Sequence, residues 1–306
     1  FTLRDVKGRY APEYRIAGER LELARWVADY YAYPLGEVVP LFHPPNPGTK
    51  ARGKPKLADY PTGDVDKVIL TAAQDRAVSA AAGHLDAGTF GSLLLHGVTG
   101  SGKTEVYLTV IEKALAQGRN AIYLLPEIAL TPQTLARITA RFGDQVAAIH
   151  SGLSAGQRCR VHEGAARGEI QVVVGPRSAL FVPVQNLGVI VVDEEHETSY
   201  KQDEKPRYHA RHTALVRGRL NQAVVILGSA TPDLESMENA RLGRYQLMEL
   251  PDRMGGSLPV VDVVDMRGSV ALEGFSPTLA DAMRETLEAE RQVILYYNRR
   301  GFARVL

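Results

Sequence analysis

The chain has 306 residues, and its 36 Lys plus Arg against 35 Asp plus Glu give a formal net charge of +1. A single Cys excludes a disulfide framework and any multi-cysteine zinc site within these residues. Hydrophobic residues at 45% and charged residues at 23% fit a globular protein of about two domains, and no apolar run approaches the ~20 residues of a membrane helix.

In chain order, the first expected element is a helix from about Glu19 to Tyr33. Leu23, Trp26, Val27, Tyr30 and Tyr31 recur there at three- and four-residue steps, and Pro34, Gly36 and Pro40 end it. Residues 44–63 have the Pro- and Gly-rich composition of a linker. Lys50, Arg52, Lys54 and Lys56 inside it read as solvated charges or as a strip laid on phosphates. From Val68 onward, short apolar runs alternate with helical stretches. Strands are expected at Leu93–Leu95, Ala121–Leu125, Val146–Ile149, Ile170–Val174, Gly188–Val192 and Ala223–Leu227, with helices at Lys103–Ala116 and Thr131–Phe142 among them. That texture predicts an α/β fold, a parallel sheet with helices on both faces. After Gly255 and Gly256 a new strand–helix–strand pattern is expected: Val260–Val264, a helix from about Ser276 to Glu290, then Gln292–Tyr297. The chain opens at Phe1 without a charged-then-apolar leader and closes soon after an apolar run, the pattern expected of a piece of a longer protein.

The decisive stretch is Gly97-Val98-Thr99-Gly100-Ser101-Gly102-Lys103-Thr104, a complete G-x-x-x-x-G-K-T after an apolar run and before a helix. Its glycines let backbone N–H groups cradle phosphate oxygens at a helix N-terminus. Lys103 is expected at the β- and γ-phosphates of ATP, and the Thr104 hydroxyl on Mg²⁺. A second apolar run delivers Asp193-Glu194-Glu195-His196 at its C-terminal end, where ligands sit in open α/β sheets. Asp193 is expected to hold Mg²⁺ through water, and Glu194 to orient and deprotonate the attacking water. Two readings of His196 stay open, a relay to a neighbouring segment or a structural hydrogen bond. Ser229-Ala230-Thr231 closes a third apolar run and reads alone as a helix cap. Downstream of the other two stretches, it completes the order found in superfamily 2 helicases.

These stretches resemble the primosomal protein N′ family of bacterial replication-restart helicases. The resemblance also rests on Leu125-Pro126-Glu127-Ile128-Ala129-Leu130-Thr131-Pro132-Gln133, His150-Ser151-Gly152-Leu153, Arg177-Ser178-Ala179-Leu180-Phe181, Ser199-Tyr200-Lys201-Gln202, Arg207-Tyr208-His209-Ala210-Arg211 and Asn298-Arg299-Arg300-Gly301-Phe302. It implies a RecA-like P-loop NTPase lobe, the beginning of a second such lobe, and a short N-terminal remnant. The corresponding boundaries are 1–45 for the end of a 3′-end-binding DNA domain, 46–66 for a linker, 67–254 for lobe 1 and 255–306 for the truncated lobe 2. The winged-helix domain that the family places after the first of these is not legible before Val68.

By resemblance, Gln74 reads adenine, Arg177 touches the DNA backbone, and Tyr200 to Arg211 form an aromatic-rich loop coupling single-strand binding to hydrolysis. Pro176 stands where the family usually has Thr, and Lys205-Pro206 where some members carry a Trp. In that loop Tyr200 and Tyr208 are expected either to stack on bases or to pack on the lobe, with Lys201, Lys205, Arg207 and Arg211 facing phosphates. Ser229 and Thr231 belong to the same coupling set. His209 and His212 have one-face spacing without a third metal ligand nearby. The family's zinc-binding cysteines fall after Phe302, and its phosphate-facing arginine lies in the rest of lobe 2. Weak hydrolysis by this chain alone is therefore expected.

The implied activity is an ATP- and Mg²⁺-dependent 3′-to-5′ DNA helicase of the bacterial cytoplasm, associated with the nucleoid. Its implied partners are forked or single-stranded DNA, primosome proteins, single-strand-binding protein and the replicative-helicase loader. Two rivals remain: a duplex translocase that does not separate strands, and a fork-binding scaffold with a nucleotide switch.

Overall fold

The computed structural model describes residues 12–47, 49, 69–254, 260–267 and 275–296. Lys50, Arg52, Lys54, Lys56 and the stretch Asn298 to Phe302 lie outside the described residues. The chain divides into two compact units, Phe1–Gly255 and Gly256–Leu306.

Among its described residues the first unit is built on seven strands: β1 (Gly91–Gly97), β2 (Asn120–Leu124), β3 (Val146–Ala148), β4 (Val172–Gly175), β5 (Leu187–Asp193), β6 (Val224–Ser229) and β7 (Gln246–Leu250). They lie in the order β3-β4-β2-β5-β6-β1-β7, and every neighbouring pair is parallel. Side chains alternate across a strand, so an apolar run buries two faces at once. Ile122, Leu124, Ile190, Val192, Val225 and Leu227 enter the core on one face. Ala121, Tyr123, Val189, Val191, Val224 and Ile226 enter the core on the other. The result is the three-layered α/β fold that the sequence texture predicts.

The helices of this unit are α1 (Glu19–Tyr30), α2 (Leu35–Val38), α3 (Ala72–Ala87), α4 (Lys103–Ala116), α5 (Pro132–Phe142), α6 (Ala155–Ala166), α7 (Ala210–Leu220) and α8 (Leu234–Arg241). Apolar residues of α3, α4 and α5 cover one face, and those of α1, α6 and α7 the other. The N-terminal segment is part of this core. Leu23, Ala24, Val27 and Phe42 are all buried, and Arg20 Nη2 donates to the carbonyls of Phe42 at 2.9 Å and Phe181 at 3.4 Å.

Strand β7 is absent from the expected elements. Among the described residues it pairs only with β1, at the sheet edge, and its residues are mostly exposed, so Gln246 to Leu250 lack the continuous apolar signature of the inner strands. The second unit departs from expectation in the opposite sense. Its helix α9 (Pro277–Glu288) forms, with Ser276 Oγ accepting from the Leu279 N–H at 3.0 Å. Residues 260–267 and 291–296 on either side form no strand, although Val260, Val263 and Ile294 are 91–93% exposed apolar side chains. An apolar β-run becomes a strand only when a neighbour completes its hydrogen-bond ladder, and two strands alone are marginal.

Candidate active site

The strand order sets β5, β6 and β1 side by side, so the three motif-bearing C-terminal ends converge. After β1, the loop reaches α4 through Gly100 (φ +79°) and Gly102 (φ +81°), left-handed conformations that favour glycine. A Cβ on Gly102 would meet Gln74 Nε2 at 2.3 Å, and one on Gly97 would meet Ser101 Oγ at 2.5 Å. The loop is thus a tight backbone cradle. Lys103 Nζ donates to the Gly97 carbonyl at 2.9 Å, and the buried Ser101 Oγ has no hydrogen-bond partner among the described residues. An orphaned hydroxyl beside a lysine that caps its own loop, inside a curl of glycines, fits a phosphate chain.

The loop opens on a cavity of about 370 Å³ lined by Gln74, residues 99–105, Arg137, Asp193, Glu194 and Met254. Val98 and Gly97 form the base of the cradle: the Ser101 N–H donates to the Val98 carbonyl at 3.0 Å. Gln74 is fully buried at the start of α3. Its Oε1 accepts from the Thr71 N–H at 2.8 Å, and its Nε2 donates to the Ser101 carbonyl at 2.9 Å. Both ends of the amide are therefore committed to the helix cap and the phosphate loop, and neither faces a base here.

Across the cavity, Asp193 ends β5. Its Oδ1 accepts from the Tyr107 hydroxyl at 3.0 Å and the Glu194 N–H at 3.0 Å, and its Oδ2 accepts from the Tyr123 hydroxyl at 3.3 Å. Burial, reinforced by the Glu194 charge, pushes the Asp193 carboxyl up to about 6. Burial likewise raises both tyrosines. Glu194 takes φ +47°, a strained conformation for a non-glycine residue, with its side chain 38% exposed. Thr104, Asp193 and Glu194 thus line one cavity, and their oxygen donors suit Mg²⁺.

His196 Nδ1 lies 2.7 Å from Ser229 Oγ, which also accepts from the Thr231 N–H at 2.9 Å. This contact ties the turn after β5 to the end of β6, and both readings of His196 are compatible with it. Glu195, which sequence reasoning gave no role, accepts as many hydrogen bonds as Asp193. Its Oε2 accepts from Arg211 Nη1 at 2.7 Å and Ser236 Oγ at 2.8 Å, and its Oε1 accepts from the Asp233 N–H at 2.8 Å.

In the loop before α7 the tyrosines take the packed one of their two readings, and the expectation for Arg211 is overturned. Tyr200 and Tyr208 are each 1% exposed, so neither presents a ring face to a base. The Tyr200 hydroxyl donates to the Asp193 carbonyl at 2.6 Å, and the Tyr208 ring meets Phe181 edge-on at 5.0 Å. Arg211 faces carboxylates rather than phosphates, since Glu195 and Glu235 both hold it within 2.8 Å. The aromatic rings turn inward because burying their apolar area is favourable, and Arg211 is tolerated beside them because Glu195 and Glu235 pair its charge. Lys201, Lys205 and Arg207 remain exposed. Lys201 Nζ sits 5.2 Å from the Tyr31 ring centre and donates to the Arg207 carbonyl. Arg177 Nη1 donates to the Ser199 carbonyl at 2.6 Å, beside a cavity of about 440 Å³ that Pro126, Ile128 and Gln202 also line.

His209 and His212 stack with ring centres 4.8 Å apart, but among the described residues no group of three His, Cys, Asp or Glu is placed to hold a metal. Among the same residues, no helix is long and apolar enough to cross a membrane.

A parallel sheet with a phosphate cradle, an acidic strand end and a Ser-Ala-Thr strand end side by side defines a P-loop helicase lobe. The DEAD/DEAH box helicase family matches residues 71–240, more than half of the chain, and the chain belongs to that family. Its curated relatives are proteins named "Replication restart protein PriA". The Bacillus subtilis protein is 48% identical over 72% of this chain and 28% of its own length. The Chlamydia muridarum protein is 46% identical over 76% of this chain and 32% of its own. The Rickettsia felis protein is 35% identical over 98% of this chain and 46% of its own. The chain thus spans less than half the length of these relatives. Among solved structures, RecG bound to a three-way DNA junction aligns with TM-score 0.47 and 24% identity over 62% of this chain and 24% of that one.

Proposed function

We propose that residues 67–254 are lobe 1 and residues 255–306 the start of lobe 2 of an ATP-driven 3′-to-5′ DNA helicase. In the intact protein this motor acts on stalled or forked replication structures and begins primosome assembly. Residues 1–45 are read as the end of a DNA-binding domain and 46–66 as a linker. Single-strand-binding protein and the replicative-helicase loader are the expected partners, and the bacterial nucleoid is the place of action. The observation that carries the reading is the shared cavity in which the glycine cradle faces Asp193 and Glu194.

In this reading ATP binds with its phosphates on the backbone N–H groups of residues 97–104. Lys103 leaves the Gly97 carbonyl for the β- and γ-phosphate oxygens, and Ser101 Oγ gains the partner it lacks. Thr104 and Asp193 would hold Mg²⁺, which when bound neutralises charge on the β- and γ-phosphates. Tyr107 and Tyr123 fix the Asp193 carboxylate from behind. Glu194 accepts a proton from water as that water attacks the γ-phosphorus, and the bond from the γ-phosphorus to the β,γ-bridging oxygen breaks. The chain from Glu194 through Glu195 to Arg211, and from His196 to Ser229, carries the state of the site toward the loop bearing Lys201 and Arg207, whose cations contact DNA phosphates.

The test is Mg²⁺-ATP binding and turnover by this chain with and without forked DNA, beside Lys103→Ala. The expected result is nucleotide binding lost in Lys103→Ala, with slow turnover. Absence of nucleotide binding in the unaltered chain overturns the reading. Strand separation by the intact protein distinguishes a helicase from a duplex translocase, and partner recruitment without turnover would mark a scaffold.

A further inference from the structure

The cavity around the phosphate loop contains a cation that the chemistry above does not use. Arg137 lines it together with Lys103, Thr104, Asp193 and Glu194. It stands on α5, whose apolar side (Leu135, Ile138 and Phe142) is buried against the sheet. Residues four apart share a helix face, so Arg137 and Arg141 project together over the start of α4. Both reach Glu105, whose side chain is only 4% exposed.

The two arginines hold that carboxylate unequally. Arg141 Nη1 is 2.7 Å from Glu105 Oε1, and Arg141 also clamps Glu112 with bonds of 2.5 and 2.7 Å. Arg137 reaches Glu105 through one bond of 3.2 Å and keeps half of its side chain exposed. Glu105 therefore retains a partner when Arg137 lets go, and the swing leaves no buried charge alone. Arg137 lines the same cavity as Asp193 and Glu194. A guanidinium offers paired donors that match a phosphate better than a single long bond to a carboxylate that is already paired.

We propose that Arg137 exchanges Glu105 for the terminal phosphate of a bound nucleoside triphosphate, and is the residue by which this lobe distinguishes triphosphate from diphosphate. The assignment rests on the nucleotide reading of the cavity. It places a phosphate-sensing cation within lobe 1, on a helix outside the glycine loop.

The experiment is equilibrium binding of Mg²⁺-ADP and of the non-hydrolysable β,γ-imido analogue of ATP to the full chain and its variants, with thermal melting as the check on folding. Arg137→Ala is expected to weaken the triphosphate analogue by about 10- to 100-fold while ADP changes less than about twofold. Arg137→Gln, which keeps most of the side-chain volume, gives the same selectivity if truncation disturbs packing. Glu105→Gln removes the competing charge and is expected to raise the preference for triphosphate. A purely structural Arg137–Glu105 bridge would instead make Arg137→Ala and Glu105→Gln shift both nucleotides in the same direction. That outcome, or equal losses for the two nucleotides in Arg137→Ala and Arg137→Gln, overturns the assignment. If the unaltered chain binds neither nucleotide, the nucleotide reading itself fails, which is a separate and visible result.

Discussion

The phosphate loop and the loop before α7 are both motif-rich, both follow a strand, and their side chains behave in opposite ways. In residues 97–104 the backbone defines the shape, and the cavity is lined by the residues its motif predicts. In residues 198–211 both named tyrosines and one of the four named cations turn inward: Tyr200, Tyr208 and Arg211 are almost wholly buried, while Lys201, Lys205 and Arg207 stay exposed. A motif built from glycine torsions is local and survives any tertiary context. One built from long side chains is decided by whatever packs around it.

The sharpest way to break this contrast is Arg211→Ala. If Arg211 is structural, its loss strands the buried Glu195 carboxylate and costs about 3–5 kcal/mol, read as a large drop in melting temperature. A variant that melts normally but loses DNA affinity would return Arg211 to the DNA surface. Next in size is Gly228→Ala in β6. A Cβ there would lie 1.6 Å from the Tyr107 hydroxyl, the group that anchors Asp193. The expected cost is about 1–3 kcal/mol, with weakened Mg²⁺-nucleotide binding, and unchanged binding in a destabilised variant would detach Tyr107 from the site.

A pH titration sharpens the phosphate-loop side. The Asp193 carboxyl sits at about 6 rather than 3.8, so acid neutralises it sooner than an ordinary aspartate. Mg²⁺-nucleotide affinity should fall by up to about tenfold per unit as pH drops below about 6, and Asp193→Asn should abolish the inflection. A flat profile between about pH 5 and 7.5 would contradict the site. The smallest effect belongs to the exposed cations. Lys201→Ala with Arg207→Ala should change stability by less than about 0.5 kcal/mol while weakening salt-dependent DNA binding by the intact protein.

How far the sequence alone reached follows the same division. The inner strands, the cradle and the acidic strand end were legible because apolar runs and glycine spacing are local signals. The edge strand β7 was not, since half-exposed residues such as Gln246 and Glu249 carry no periodic signature. The strands expected around α9 were over-read: apolar composition marks what a segment would bury, not whether a neighbour is there to receive it. Tyr107 and Tyr123 have no role in the sequence reading, although a tyrosine within a fully buried run needs a hydroxyl partner, which the fold supplies in Asp193. Nothing in the spacing of Arg137 marks it out from a solvated helix charge; its place in the cavity lining depends on how α5 packs.

The left-handed backbone at Glu194 has one more consequence. Glycine or asparagine occupies such torsions at less cost than glutamate, by about 1 kcal/mol or more. Breeding this lobe for heat tolerance alone should therefore replace Glu194 with Asn or Gly early, yielding a sturdier protein that, if Glu194 is the proposed base, binds nucleotide without turning it over. Persistence of glutamate under such selection would mean that the torsion is relieved by its neighbours rather than endured.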